Sequence, residues 1–308
     1  SAKGIQHHKI LDIDSKNPVT VLKLLFSIHQ IIKQKGITIV HTHHRMAAFY
    51  IRLLKFVYPK LTHVYTAHNV FKDKLPLYRF ALKNAKSVAV GEAVNNNLKE
   101  DVGITDSKVI YNGVILKETD NQVDDIVGYD GTKLGCIARL SEQKGLTYLI
   151  EAMSLLTVKN IRLFIVGDGE LRNELENKVE ELHLQDSVTF LGYRKDIVEC
   201  INSFDFLVSS SLFEGLALNV IETFMNGKTM VATNIPGINE VVNDENGILV
   251  PAKNPGALAG AIDKLATDVL LRNRLAFHAK KTYEERFSYS MFLENYRALY
   301  REIQGEPK

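Results

Sequence analysis

Cysteine is almost missing from this chain: 308 residues hold two, Cys136 and Cys200. They fall in segments that read as a strand and a helix, without metal-ligand spacing or a disulfide framework, so a reducing, cytoplasmic setting is expected. No apolar run reaches the ~20 residues that a membrane-crossing helix needs. The opening residues SAKGIQHHKI lack the apolar core of a signal peptide, which leaves a soluble chain or one peripheral at the inner face of the cell membrane. Repeats, heptad arrays and low-complexity tracts are also missing. Neither sign of charge dominates. With 38 basic and 36 acidic residues the formal net charge is +2, which by itself points to no polyanionic partner. What remains is ordinary globular composition, 45% hydrophobic and 24% charged. The length suits about two domains.

Apolar β-branched runs at 37–42, 62–66, 86–90 and 108–111 alternate with amphipathic stretches, the pattern of parallel βαβ units. The alternation breaks in the polar, acidic stretch KETDNQVDDIVGYDG, so 1–112 reads as one Rossmann-like domain and 113–131 as a linker. It resumes with strands near 133–138, 162–166, 187–191, 206–209 and 229–232, and with helices starting near Lys144, Glu170, Lys195, Ala217 and Pro255. That is a second doubly wound α/β domain, 132–285, followed by a C-terminal helix, 286–308, expected to pack back toward the first domain. Ligands of such pairs are expected at the carboxyl ends of the strands, in the cleft between the domains.

The densest signal is 209–242, SSSLFEGLALNVIETFMNGKTMVATNIPGINEVV. A buried strand ends at Ser209, Glu214-Gly215 follow in the turn, and a helix from about Ala217 to Met225 closes at Asn226-Gly227. The backbone N–H groups of Ala217, Leu218 and Asn219 at that helix start suit a phosphate, and Gly215 permits close approach. Glu222 lies one to two turns into the helix, so Glu214 and Glu222 can reach different parts of one extended ligand. A glutamate pair at this spacing also arises by chance in ordinary helices. A second signal, GCIARLSEQKGLTYLIEAM, sets Arg139 and Lys144 beyond a strand and at a helix start, where two cations can neutralise a diphosphate. Cations near a helix N-terminus are unfavourable unless an anion joins them.

The ordered set ARLSEQKG, LFIVGDGELR, VTFLGY, LFEGLALNVIE and GILVPAKNP resembles the donor-binding domain of the retaining glycosyltransferases of family 4, which have the GT-B fold. The resemblance implies that Glu214 holds the donor sugar hydroxyls, Glu222 the nucleotide ribose, and Arg139 with Lys144 the diphosphate. It implies that Tyr193 and Arg194 lie beside the base, and Gly167, Gly215, Leu216, Ala217 and Leu218 are expected in the same donor site. The family usually continues from the first Glu as Gly-Phe-Gly, whereas this chain has Gly215-Leu216-Ala217, so altered donor fit is expected before loss of binding. His68, in VYTAHN, matches the histidine that faces the donor sugar and acceptor. The chain begins near where the family's first βαβ unit, with its glycine-rich loop, should have ended, so that unit is expected to be missing from the first domain.

His41, His43 and His44 invite a zinc reading, but strand alternation sends neighbours to opposite faces and no further ligand follows, so no metal is expected; His43 is placed on the acceptor side. Residues 45–86 hold nine cations against one acid, Asp73, interleaved with Phe49, Tyr50, Phe56, Tyr58 and Phe71. They suggest contact with an anionic membrane carrying a lipid-linked acceptor, or a solvated basic face over core residues. No nucleic-acid motif accompanies them.

Gly167-Asp168-Gly169 hints at a dinucleotide fold, but Arg172 stands where the fingerprint needs its third glycine. Asp12-Ile13-Asp14 is a lone D-x-D. The expectation is retaining, metal-free transfer from a nucleoside-diphosphate sugar, UDP first and GDP second, to a glycan or lipid-linked acceptor, in bacterial cell-surface polysaccharide synthesis. The resemblance implies that the leaving phosphate itself deprotonates the acceptor. The alternatives are a non-catalytic nucleotide-sugar-binding or scaffold relative and an epimerase.

Overall fold

The computed structural model describes residues 6–15, 17–115 and 119–305. The chain divides into two compact units, with the main boundary in sequence between Ile110 and Tyr111.

The first unit is built on a parallel sheet of β1 (Ile39–Thr42), β2 (Thr62–Ala67), β3 (Lys86–Ala89) and β4 (Ser107–Val109), in that order. Its helices are α1 (Pro18–Lys35), α2 (Arg45–Leu54), α3 (Leu75–Leu82) and α4 (Glu92–Asn96), the last continued by a π-helical turn, Asn97–Val102. Local chemistry sets the ends of α1. Asn17 accepts from the N–H of Val19, proline occupies the first turn, and Gly36 closes the helix at φ 59° with its N–H on Ile32 O. The sheet's buried face includes Val64, Thr66 and Val88 at no more than 1% exposure. The basic stretch 45–86 is more structural than its composition suggests. Tyr50 is 1% exposed, and Arg45 lies over the Phe71 ring at 3.7 Å while pairing with Asp73 at 2.9 Å. Arg79 Nε donates to Val102 O at 2.5 Å, and Lys55 Nζ to Asn84 O at 3.3 Å. Of its eight phenylalanines and tyrosines only Phe56 is exposed. Asp12-Ile13-Asp14 forms a local turn, with the Asp14 N–H on Asp12 Oδ1.

The second unit carries β5 (Thr132–Ile137), β6 (Ile161–Val166), β7 (Val188–Gly192), β8 (Phe206–Ser209), β9 (Met230–Thr233) and β10 (Ile248–Val250), all parallel, in the order β10-β9-β8-β5-β6-β7. With them run α5 (Asp124–Val127), α6 (Leu146–Ser154), α7 (Arg172–Glu181), α8 (Ile197–Ser203), α9 (Leu218–Met225), α10 (Pro255–Thr267), α11 (Val269–Thr282) and α12 (Tyr289–Gln304). Strand order grows outward in one direction through β6 and β7 and in the other through β8, β9 and β10. The switch therefore falls between β5 and β8, and their diverging loops open a crevice at the carboxyl ends. One core, with Leu134, Leu163, Ile165, Phe206 and Val231 of the sheet against Leu149, Ile150, Leu258, Ile262 and Leu265 of α6 and α10, fixes those strands in place. Gly135 in β5 is required by packing: a Cβ there would stand 2.1 Å from the Phe204 ring.

Nine strands were expected and ten are described; β10 was missed because three residues in GILVPAKNP are too few to show a period. The stretch expected as a linker carries α5, whose Ile126 is fully buried, and residues 119–123 are pinned to α8. Asn202 Nδ2 donates to Thr119 O at 2.6 Å, and the Val123 N–H to Ser203 Oγ at 2.8 Å. Residues 116–118 of that stretch, like 306–308 of the C-terminal one, lie outside the described residues. Val114 pairs with Ser288, and Tyr283 Oη donates to Val114 O at 3.0 Å, so the second unit's first residues are packed against the start of α12.

Candidate functional site

The crevice at the switch point is a cleft of about 780 Å³. Ile137 and Val166, at the ends of β5 and β6, form its floor, and Arg139, Lys144, Gly167, Tyr193, Arg194, Glu214, Leu216, Leu218 and Asn219 stand around it. Residues drawn from four separate stretches of sequence are thus brought to one wall. Of the donor-site residues expected from sequence, Gly215, Ala217 and Glu222 are not on that wall.

Glycines place the charged groups. Gly145 has φ 58°, and a Cβ there would meet Ser210 O at 2.4 Å, so the 3₁₀ turn Glu142–Lys144 lies directly against the residues that follow β8. The Leu212 N–H on Gln143 O (2.8 Å) and Ser210 Oγ on Lys144 O (2.8 Å) fasten the two loops. Gly237, at φ 85°, does the same for the backbone of Glu214, whose carbonyl carbon and oxygen lie about 3 Å from a Cβ there. The result is a nearly buried ion pair. Lys144 Nζ is 2.5 Å from Glu214 Oε1, with side-chain exposures of 19% and 9%. Ser211 Oγ donates to the same oxygen at 2.9 Å, and Gln143 Nε2 reaches Oε2 at 3.4 Å. Sequence reasoning missed Gln143 and Ser211; the hydroxyl run SSS before Glu214 was the available signal.

Helix α9 begins at Leu218, one residue later than expected, and Ala217 is its cap. The Ala217 N–H is directed at Gly237 O (3.4 Å) and its methyl is buried, which corrects the expectation that this N–H serves a phosphate. The open donors belong to the first turn, at Leu218 and Asn219. Asn219 Nδ2 donates to Ile137 O at 3.0 Å, tying the helix start to β5. Glu222 sits one turn beyond Leu218 on α9, half-buried, and burial raises its pKa above the ordinary carboxylate value.

Arg139 and Arg194 stand in the cleft with carboxylate partners, Arg139 on Glu170 Oε2 at 3.1 Å and Arg194 on Asp196. Tyr193 is 74% exposed. Gly167, at φ 139°, allows the β6 end to cross the β5 end, since a Cβ would lie 1.9 Å from Ala138 O. The glycine in GDG therefore answers to backbone crossing. Both cysteines are buried and their thiols are pushed up, Cys136 to about 12 and Cys200 to about 11, so neither is a ready nucleophile.

In the first unit, His68 follows β2 and its Nε2 is 3.0 Å from His43 Nδ1. The His41 ring lies 4.3 Å from that of His43, and His41 Nε2 bonds Thr66 Oγ1 at 2.8 Å. Burial, then repulsion from the other two rings, lowers His41 to about 4; burial also lowers His43 and His68. Among the described residues no group of three His, Cys, Asp or Glu side chains is arranged to hold a metal ion, and no helix is long and apolar enough to cross a membrane.

Two parallel α/β units, one with a charged cleft at its switch point, define a two-domain doubly wound α/β protein with room for a ligand at the strand ends. Residues 127–282 match the family model "Glycosyl transferases group 1" and residues 2–118 match "Glycosyltransferase Family 4", so the chain belongs to the family 4-like glycosyltransferases of the GT-B fold. An uncharacterized glycosyltransferase of Methanocaldococcus jannaschii is 31% identical over 216 residues, which are 64% of this chain and 55% of that one. The UDP-Gal:α-D-GlcNAc-diphosphoundecaprenol α-1,3-galactosyltransferase of Escherichia coli is 26% identical over 286 residues, 81% of this chain and 72% of its own. Among solved structures, Anabaena HepE in complex with UDP superposes with a TM-score of 0.81 at 22% identity, covering 91% of this chain and 82% of HepE. The chain thus spans little more than half the length of the first of these relatives.

Proposed function

We propose that the chain transfers a sugar, with retention of configuration and without a metal, from a nucleoside-diphosphate sugar to a glycan or lipid-linked acceptor in bacterial cell-surface polysaccharide synthesis. UDP is the favoured nucleotide and GDP the second. The observation that carries this reading is the convergence of Arg139, Lys144, the α9 start and Glu214 on one cleft at the switch point. Two cations and a helix N-terminus supply positive charge where a diphosphate leaving group gains negative charge. Lys144, already on Glu214, can touch both the departing phosphate and the carboxylate that supports the positive sugar. The leaving phosphate takes the acceptor's proton. Tyr193 and Arg194 are assigned to the base, Glu222 to the ribose, and His68 to the sugar and acceptor. UDP is favoured because the Escherichia coli relative is named for UDP-Gal and HepE holds UDP. The lipid-linked acceptor is supported by the same relative's diphosphoundecaprenol substrate.

The test is a thermal-shift panel of UDP-, GDP- and ADP-sugars, followed by release of UDP from UDP-glucose. Glu214→Gln should lower turnover by about a hundredfold or more while nucleotide affinity changes little. Unchanged turnover refutes the assignment, and no shift with any nucleotide sugar removes the donor site. Binding without hydrolysis or transfer favours the non-catalytic reading.

A further inference from the structure

The histidines of the first unit form a cluster that the donor cleft does not use. β1 and β2 are parallel neighbours in the register His41↔Val64 and Thr42↔Tyr65. Continued one residue, that register sets His43 level with Thr66, so His68 lies two residues further along the neighbouring strand's path, within reach of the His43 ring. Their ring centroids are 5.3 Å apart and His43 Nδ1 is 3.0 Å from His68 Nε2. A contact of this length between two imidazole nitrogens needs one proton and one lone pair. It is met by two neutral rings in complementary tautomers or by one charged ring, and never by two charged rings. His41 supports the pair from below, its ring 4.3 Å from His43 and its Nε2 anchored on Thr66 Oγ1.

We propose that His43 is the positioning residue of His68: by engaging Nε2 it fixes the ring's tautomer and orientation and leaves Nδ1 as the nitrogen offered to a substrate hydroxyl. The inference rests on the assignment of His68 to the sugar and acceptor side. A histidine acts in transfer through whichever nitrogen is free, and the hydrogen bond made by the other sets which one that is. The titratable neighbours are His41 from β1 and, at the start of α2, His44 and Arg45, which turn to Asp14 (3.8 Å) and Asp73 (2.9 Å). With those two side chains engaged elsewhere, His68 answers chiefly to burial and to His43. Removing His43 lifts a repulsion, so His68 should take up its proton at higher pH.

The experiment follows the ring nitrogens of histidine-labelled full-length protein by long-range ¹H–¹⁵N correlation across about pH 5 to 8, in the wild type and in His43→Ala, His43→Asn and His68→Ala. His43 is exposed, so its replacements should fold. In the wild type the two nitrogens of His68 should be well separated in shift, the mark of one tautomer. In His43→Ala they should approach each other and the midpoint should move up in pH. In His43→Asn, whose amide sits near the place of Nδ1 without a titrating charge, the single tautomer should return. Release of UDP from UDP-glucose should fall about tenfold in His43→Ala, with its acid limb at higher pH, and recover in His43→Asn. An unchanged tautomer and midpoint in His43→Ala overturns the inference. If His68→Ala releases UDP at the wild-type rate, the functional assignment of His68 falls and the positioning role with it. If His68→Ala abolishes release while His43→Ala matches the wild type throughout, the positioning role alone falls.

Discussion

Lys144→Ala should cost more through what it leaves behind than through what it removes. Glu214 is 9% exposed in its side chain, and its Oε1 receives both the ammonium at 2.5 Å and the Ser211 hydroxyl at 2.9 Å. Truncating the lysine leaves a carboxylate with two neutral donors, Ser211 and Gln143, and no cation. Removing one partner of a fully buried pair costs about 3–5 kcal/mol. With Lys144 19% exposed and the two neutral donors retained, about 2–3 kcal/mol is the expected loss. Glu214→Gln should cost less, because an ammonium at the cleft edge can turn to water. The double variant should therefore be close to Glu214→Gln alone, giving a coupling of about 2 kcal/mol between the two sites. For a unit of this size about 2–4 °C follows each kcal/mol, so Lys144→Ala should lower the melting temperature of the second unit by about 5–10 °C. The same substitution removes a charge-assisted contact to the diphosphate, worth about 1.5–3 kcal/mol, or about a tenfold to hundredfold weaker Kd for UDP by calorimetry. Additive melting shifts across the cycle would refute the buried pair as the link between the two loops. An unchanged Kd would separate Lys144 from the nucleotide.

His63 is 1% exposed, its Nε2 meets Thr42 Oγ1 at 2.8 Å, its Nδ1 has no partner among the described residues, and burial holds its pKa down at about 4 against 6.5 for a free ring. Below about 6.5 the unfolded chain therefore binds a proton that the folded chain refuses. His63 should contribute a fall in stability of about 1.4 kcal/mol per pH unit between those values and nothing above them, His41 adds a similar share, and His63→Gln should remove the His63 share of the slope in urea titrations. Gly135→Ala forces a methyl to 2.1 Å from Phe204 and should cost about 1–3 kcal/mol by the same measurement, with Phe204→Leu recovering part of it. Binding to an anionic membrane through 45–86 should pellet the protein with anionic liposomes in low salt and release it in high salt; no pelleting in low salt sinks that reading.

The sheets were legible because a buried parallel strand must be a short apolar run, and nine such runs stood clear between polar turns. Strand order was not legible, since nothing in the residues of β8 says that it pairs with β5. The aromatics of 45–86 left two readings open for a related reason. Tyr50 and Phe71 carry the composition of an amphipathic surface, but Tyr50 faces the core and Phe71 serves as the platform for Arg45. At the site, sequence supplied Glu214, Lys144 and Arg139 as residues suited to a diphosphate. It did not supply the Lys144–Glu214 pair, which exists because Gly145 and Gly237 let two loops far apart in sequence approach within van der Waals contact of backbone.

The histidine pair fails to show in sequence on different grounds. Alternation places His41 and Thr42 on opposite faces of β1, but the rule ends with the strand, and His43 lies past it. The parallel pairing of β1 and β2 brings their following loops together, and there His43 meets His68. In both units, then, chemistry-bearing side chains converge at the carboxyl ends of parallel strands. The reason is geometric: each strand of a parallel sheet delivers its following loop to the same edge, so polar groups unsuited to the sheet itself collect there. In the second unit the reversal of strand order opens that edge into a cleft wide enough for a ligand. In the first, whose described strands run β1 to β4 without reversal, the loops stay side by side and the polar groups bond one another.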